Sequence, residues 1–378
     1  MEKKRYTFLV NFTPPPRLTK RMDLLRDDFN ISAICWDKGG DDKFDFKRDF
    51  VENHIIRVKA DRTNPLKRIG ATEDFSKKAY GRLTDIRPDL IHIQSYDMLR
   101  IAYKYKKKED DQVKIIYEVP DIHRYLTDEK HKFPINIISP YMRKDERKML
   151  DAVDLMVLTS MKFFDHFEGY FDKENVVFMP NIPNLKVFEN YKELREKNSD
   201  RPFTVGYIGG IRYAEEMKRL LKAMDHMEGV RLLLAGFESG DYFKNEAAKR
   251  DYVEYRGKFY YDEEVADLYS RCDVIFSVYN ASMRNVRIAL PNKLYEAVHT
   301  EVPIIAARDT YLCELVKEWG VGVCVDHESV EEMYRVILRL RDDKEFYRSL
   351  KENCKNMQEE LDPEKNNQVL LNKIKALF

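Results

Sequence analysis

LPNKLYEAVHTEVPIIAARD, residues 290–309, sets a carboxylate, Glu296, in the first turns of a helix opened by Pro291, just ahead of an apolar strand, Val302 to Ala307. Proline suits a helix start, and a short apolar run rich in Val and Ile reads as a buried strand. One such unit is a helix leading into a sheet. Working outward, the same alternation of short β-type runs and helices recurs along nearly the whole chain.

In the first half RYTFLVNF, ISAICWD, HIIRVKA, DLIHIQS, KIIYEV, DLMVLTS and NVVFMP read as strands, because they are brief, rich in Val, Ile, Phe and Tyr, and bounded by polar or Pro-containing turns. Helix patterns lie between them in RLTKRMDLLRDD, SKKAYGRLTDI, YDMLRIAYKYKK and ISPYMRKDERKMLDAV. After NVVFMPNIPN a charged stretch, 186–202, reads as a linker. The alternation restarts with FTVGYIGG, then helix 213–226, VRLLLAG, a helix near 241–250, DYVEYRG, helix 262–272 and DVIFSV, and it ends in a helical tail from about Val330. Repeated strand, helix, strand means parallel sheets covered by helices. The expected division is therefore a first domain over 1–185, the linker, and a second domain over 203–361. Ligands of open α/β sheets bind beyond the carboxyl ends of the strands, so function is sought there.

The chain has 378 residues and no net charge, with 66 basic and 66 acidic side chains. That length exceeds one ordinary core, and the balance offers no global field for nucleic acid. No apolar run spans a bilayer and no signal-peptide core follows Met1, which implies a cytoplasmic location. The five cysteines show no zinc spacing and read as reduced, buried thiols. No Asp-x-Asp stands in strand context, Asp41 and Asp42 read as loop charges, and no metal or other cofactor is expected.

Three segments carry candidate chemistry. GYIGGIRYAEEMK sets Gly210 and Arg212 after a strand and Lys218 on the following helix. Glycines admit a ligand to the backbone, and such cations suit phosphate oxygens, although a tight turn beside surface charges reads equally well. Gly257, Phe259 and Tyr260 form a strand-end loop able to face a flat base, or simply to pack. Glu296 can accept from a sugar diol while the helix start, Asn292 and Lys293, meets a diphosphate; the other reading is a carboxylate favoured by the helix dipole.

Together GYIGGIR, GKFYYDEEVADLYSRCDV and LPNKLYEAVHTEVPIIAA resemble the donor half of a GT-B glycosyltransferase, of the kind in glycosyltransferase family 4 (glycosyl transferases group 1), and the first-half strands follow that family's order. The resemblance implies two Rossmann-like domains facing a cleft, with a C-terminal helix, 362–378, crossing back to the first domain. It implies a retaining, metal-independent hexosyltransferase using a UDP- or GDP-sugar and a glycan or lipid-linked glycan acceptor, in bacterial surface polysaccharide biosynthesis. By the same likeness Arg212 and Lys218 clamp the diphosphate, the loop after Gly257 takes the base, and Glu296 holds the ribose. Two departures stand out. Ile288 occupies the place of the family's first glutamate, for which Asn292 or Asn285 could substitute, and Pro120 replaces a histidine, leaving Asp121 and His123 as the acceptor-side catalytic candidates. Arg17 and Arg21 are either contacts for an anionic acceptor or solvated helix charges. The basic run in RIAYKYKKK suggests either peripheral contact with the inner membrane face or a solvated helix end. Two other functions stay open: a nucleotide-sugar epimerase of the same build, and a non-catalytic GT-B module that stabilises a partner enzyme.

Overall fold

The computed structural model describes residues 3–39, 46, 48–60, 65–127, 129–130, 133 and 135–378; Asp41 and Asp42 lie outside them. The chain divides into two compact units, Met1–Pro180 with Glu364–Phe378, and Asn181–Pro363.

The first unit is a parallel sheet of seven strands: β1 Lys4–Val10, β2 Phe29–Asp37, β3 Val51–Arg57, β4 Leu90–Ile93, β5 Lys114–Val119, β6 Leu155–Leu158 and β7 Val176–Phe178. Their order is β3-β2-β1-β4-β5-β6-β7, so the winding reverses between β1 and β4. β4 and β6 are buried at every position, apolar throughout except for His92 in β4, as expected of strands covered on both faces. Every one of the seven sits on a run identified from its composition.

The second unit has six parallel strands: β8 Phe203–Ile208, β9 Val230–Ala235, β10 Val253–Gly257, β11 Val274–Ser277, β12 Ile304–Ala307 and β13 Gly322–Val325. The order is β10-β9-β8-β11-β12-β13, with the reversal between β8 and β11. Helix Tyr311–Trp319 and β13 were not read from the sequence; Gly322 opens the strand, and its Cα packs so closely that an added Cβ would lie 1.9 Å from the Ile304 carbonyl.

The tail forms helices Val330–Asp342, Lys344–Glu360 and Pro363–Lys375. The last one returns to the first unit. Its Leu370 and Ile374 are fully buried in the same core as Tyr6, Leu18 and Met22, each worth about 1.5–3 kcal/mol by burial. Lys375 pairs with Asp28 at 2.6 Å.

The segment read as a linker, 186–202, is folded into the second unit instead. Helix Tyr191–Lys197 carries Arg195, whose guanidinium donates to the carbonyls of Ser270 and Cys272 and pairs with Asp273 at 2.8 Å. Phe188 is buried edge-on against Tyr269. These few long-range contacts offset the low apolar content that made the stretch look unattached.

The thiol reading also needs correction. Cys35, Cys272 and Cys354 are buried and free, but Cys313 and Cys324 pair as a disulfide between helix Tyr311–Trp319 and β13, their Cα atoms 5.8 Å apart. Cys324 lies on a strand that the sequence did not reveal, which is why the pairing was not foreseen. Among the described residues no helix is long and apolar enough to cross a membrane. Three of the four lysines in the basic run are engaged: Lys106 pairs with Asp154 at 2.7 Å, Lys107 with Asp151 at 3.7 Å, and Lys104 sits over the Tyr80 ring.

Candidate nucleotide-sugar site in the second unit

Three strands of the second sheet end in glycines with positive φ: Gly209 after β8, Gly236 after β9 and Gly257 at the end of β10. They are stitched side by side, Gly209 N–H to the Ala235 carbonyl and Gly236 N–H to the Gly257 carbonyl, at 2.7 and 2.8 Å. Gly236 cannot be replaced cheaply, because a Cβ there would lie 1.9 Å from the Gly209 carbonyl oxygen. The result is a bare backbone ledge at the carboxyl ends of β8–β10. Sequence reading singled out Gly210 and Gly257 but not Gly236, whose role depends on a neighbour 27 residues away in the chain.

Lys293 stands at this ledge. Helix Asn292–His299 starts after Pro291 with no side-chain cap, and Lys293 is its second residue, 8% exposed. A Cβ on Gly209 would come within 3.2 Å of the Lys293 ammonium, which donates to the Tyr279 hydroxyl at 2.8 Å and lies 4.5 Å from the centre of the Tyr207 ring. Among the described residues no carboxylate forms an ion pair with it. A buried cation held by rings and one hydroxyl is costly unless an anion arrives. It sits where the winding reverses between β8 and β11, the usual ligand crevice of an open α/β sheet.

The other candidates distribute unevenly around it. Arg212 is exposed, with its Nε near Gly210, where a Cβ would approach it to 3.8 Å. Tyr207 fixes the turn by donating to the Gly210 carbonyl at 2.9 Å. Lys218 points away toward the neighbouring helix: its ammonium pairs with Glu215 at 2.7 Å and lies over Tyr242. Tyr260 is 72% exposed and Phe259 half-buried beyond Gly257; Phe237, next to Gly236 and 66% exposed, joins them as an aromatic that sequence reading missed. Asn292 accepts a hydrogen bond from Asn181 at 2.6 Å. Ile288 ends a short helix, Arg284–Ile288.

Glu296 is not an open acceptor. It is 4% exposed, and its two oxygens receive the hydroxyls of Tyr261 at 2.6 Å and Tyr269 at 2.5 Å. Burial pushes its carboxyl up, and the two hydroxyls and Lys293 pull it back only in part. Burial and the same carboxylate push both tyrosines up. Each oxygen keeps one lone pair for a further donor.

In the first unit, Asp121 and His123 follow β5 and are exposed; the His123 ring packs edge-on against Tyr125. Arg17 and Arg21 are not solvated. Both flank Glu118, which is fully buried, at 2.7 and 3.8 Å, and Glu118 also meets His92 at 3.0 Å. Among the described residues no group of three or more His, Cys, Asp or Glu is arranged to hold a metal ion.

Residues 189–357 match the family model of Glycosyl transferases group 1. The chain is 22% identical over 285 residues, 71% of this chain and 68% of the relative, to the succinoglycan biosynthesis protein ExoL of Rhizobium meliloti (strain 1021). Among solved structures it resembles a sucrose-phosphate synthase from Thermosynechococcus elongatus, with a TM-score of 0.75 at 14% identity, covering 99% of each chain. It resembles HepE of Anabaena in complex with UDP at a TM-score of 0.71 and 15% identity, over 98% of this chain and 100% of the other. WaaG, a glycosyltransferase involved in lipopolysaccharide biosynthesis, gives 0.69 at 14% identity, over 96% and 99%. The two parallel α/β sheets and the returning last helix are the GT-B fold.

Proposed function

We propose that this chain, a match to the GT-B glycosyltransferases of the group 1, family 4-like kind, transfers a hexose-type unit from a nucleoside diphosphate sugar to a glycan or lipid-linked glycan acceptor, with retention and without a metal. Bacterial surface-polysaccharide assembly is the setting, in keeping with what the names of ExoL and WaaG say of those proteins.

One observation carries the reading: the buried Lys293 ammonium lies against the glycine ledge and, among the described residues, no carboxylate forms an ion pair with it, Glu296 acting on it only at longer range. A diphosphate laid on the ledge would meet this cation, the uncapped start of helix Asn292–His299 and the Arg212 guanidinium. The base would extend toward Phe259 and Tyr260. The ribose would lie near Tyr261 and Glu296, reaching the carboxylate through the lone pairs that Tyr261 and Tyr269 leave. Lys218, committed to Glu215, would join only after exchanging partners.

In the reaction the bond from the sugar's anomeric carbon to the diphosphate breaks, and a bond to an acceptor hydroxyl forms on the same face. The hydroxyl proton passes to the departing diphosphate oxygen. Lys293 and Arg212 supply the positive charge that stabilises this leaving group, so the protein's part is positioning and electrostatics. Asp121 and His123 are assigned to orient the acceptor hydroxyl.

Calorimetric titration with UDP, GDP and their sugars, followed by nucleoside diphosphate release in EDTA, tests the proposal. Binding with slow release fits a transferase, interconversion of the sugar would mean an epimerase, and no binding would leave a non-catalytic module. The anomeric configuration of the product, read by NMR, tests retention.

A further inference from the structure

The first unit contains a second place where buried polar groups lack partners. It is the carboxyl end of β1 and β4, where the winding of that sheet reverses. Gln94, immediately after β4, is 6% exposed, and neither atom of its amide has a hydrogen-bond partner. Ser95 Oγ and Asn11 Oδ1, at the same strand ends but on the alternate side of the sheet, are also buried and unbonded. A buried amide without partners costs free energy that a ligand would recover.

Cations lie on the same side of the sheet as the amide. β4 and β5 pair in parallel with Ile93 opposite Tyr117, so the next pair along is Gln94 opposite Glu118. Side chains alternate along a strand, and His92, two residues before Gln94, bonds Glu118; Gln94 therefore shares the face that holds Glu118 and its arginines. Arg17 uses Nε for Glu118 at 2.7 Å, which leaves its terminal nitrogens uncommitted. Arg21 is 5% exposed, 3.8 Å from the same carboxylate, and its Nε has no hydrogen bond. Two guanidiniums thus face one carboxylate, a surplus of one buried positive charge. Arg17 also lies in the first turn of helix Pro16–Leu25, whose start has no side-chain cap.

We infer that this cluster binds an oxyanion, a phosphate or carboxylate, carried by the saccharide acceptor. The terminal nitrogens of Arg17 and Arg21 and the amide N–H of Gln94 donate to the anion, while Gln94 Oε1, also without a partner, accepts from a sugar hydroxyl beside it. Glu118 holds the guanidiniums in place. The inference rests on the transferase reading only for the identification of the ligand as acceptor; the anion site itself does not.

The test uses the full chain with UDP at saturation, so that the proposed donor site is filled, and titrates inorganic pyrophosphate, D-glucuronate and, as a neutral control, D-glucose. At least one anion should bind at least tenfold more tightly than glucose. Pyrophosphate ahead of glucuronate identifies a phosphate-linked acceptor, and the reverse order an acidic sugar. Arg17→Gln should weaken the preferred anion at least tenfold and Gln94→Leu at least threefold, with Arg17→Lys recovering part of the loss, while UDP affinity stays within twofold throughout. Absence of anion binding, or binding that Arg17→Gln leaves unchanged, overturns the inference. If UDP does not bind but pyrophosphate binds in an Arg17-dependent way, the donor reading fails and this one stands.

Discussion

The Tyr261 hydroxyl donates to the Glu296 carboxylate across 2.6 Å, linking the helix that follows the β10 loop to the helix that carries Lys293. The two segments expected to hold the base and the ribose are therefore one hydrogen-bonded unit. Disturbing either end should be felt at both. Tyr261→Phe should lower UDP affinity and leave uracil-ring contacts intact, and Glu296→Gln should lower folding stability as well as UDP affinity, each by roughly 1–3 kcal/mol, read by thermal melting and by titration. A 2′,3′-dideoxy nucleotide, lacking both ribose hydroxyls, should bind parent and Glu296→Gln protein about equally. If the variant discriminates against it as strongly as the parent does, Glu296 has no ribose role.

Lys293 separates stability from binding. Lys293→Met removes a buried cation that has no ion-pair contact among the described residues, so the ligand-free melting temperature should hold or rise, while UDP affinity falls by roughly 1.5–3 kcal/mol and uridine affinity hardly changes. Arg212→Ala, at an exposed side chain, should give the same ligand pattern with no change in melting temperature. Equal losses for UDP and uridine would move the phosphates elsewhere.

Gly236→Ala sets a Cβ against the Gly209 carbonyl at a φ of +156°. The ledge must shift to admit it, at a cost of roughly 1–3 kcal/mol of stability, and UDP binding should fall with it. Unchanged UDP titration and thermal melting would show that the ledge is not the binding surface.

Glu118 and Glu296 should respond to pH with opposite signs. Burial pushes Glu118 up, but the hydrogen bond to His92 and the charges of Arg21 and Arg17 outweigh it, so its carboxyl lies well below its ordinary 4.5. A depressed folded value adds stability that is present above the ordinary value and lost as pH falls below it. Glu296 is raised, chiefly by burial, so the parent loses stability as pH rises from the ordinary value through the raised one. Melting followed between about pH 3 and 7 should therefore show the Glu118→Gln deficit shrinking on acidification and the Glu296→Gln deficit shrinking as pH rises. The same sign for both variants would contradict these environments.

Metal independence is open to direct measurement. Donor turnover should persist in EDTA, with Lys293 and Arg212 supplying the charge; turnover that vanishes there and returns with Mg²⁺ or Mn²⁺ would overturn this part of the mechanism.

The sequence by itself determined the strand runs other than β13, the two parallel sheets and the helical tail, because a short β-rich run bounded by turn residues is a local signal. It also marked Arg212, Gly257, Lys293 and Glu296 through the order of strand ends and helix starts around them. Tertiary structure decided what those side chains meet. Glu296 faces Tyr261 and Tyr269 rather than solvent, Lys218 turns to Glu215, and Lys293 settles between Tyr207 and Tyr279. Gly236 matters through Gly209, the stretch 186–202 folds onto Tyr269 and Asp273, and Cys313 finds Cys324 on β13. In the first unit the helix charges Arg17 and Arg21 became a buried cluster only when β5 brought Glu118 beneath them. Each of these outcomes depends on strand register and on burial by residues far away in the chain, and neither leaves a periodic trace in a local stretch of sequence.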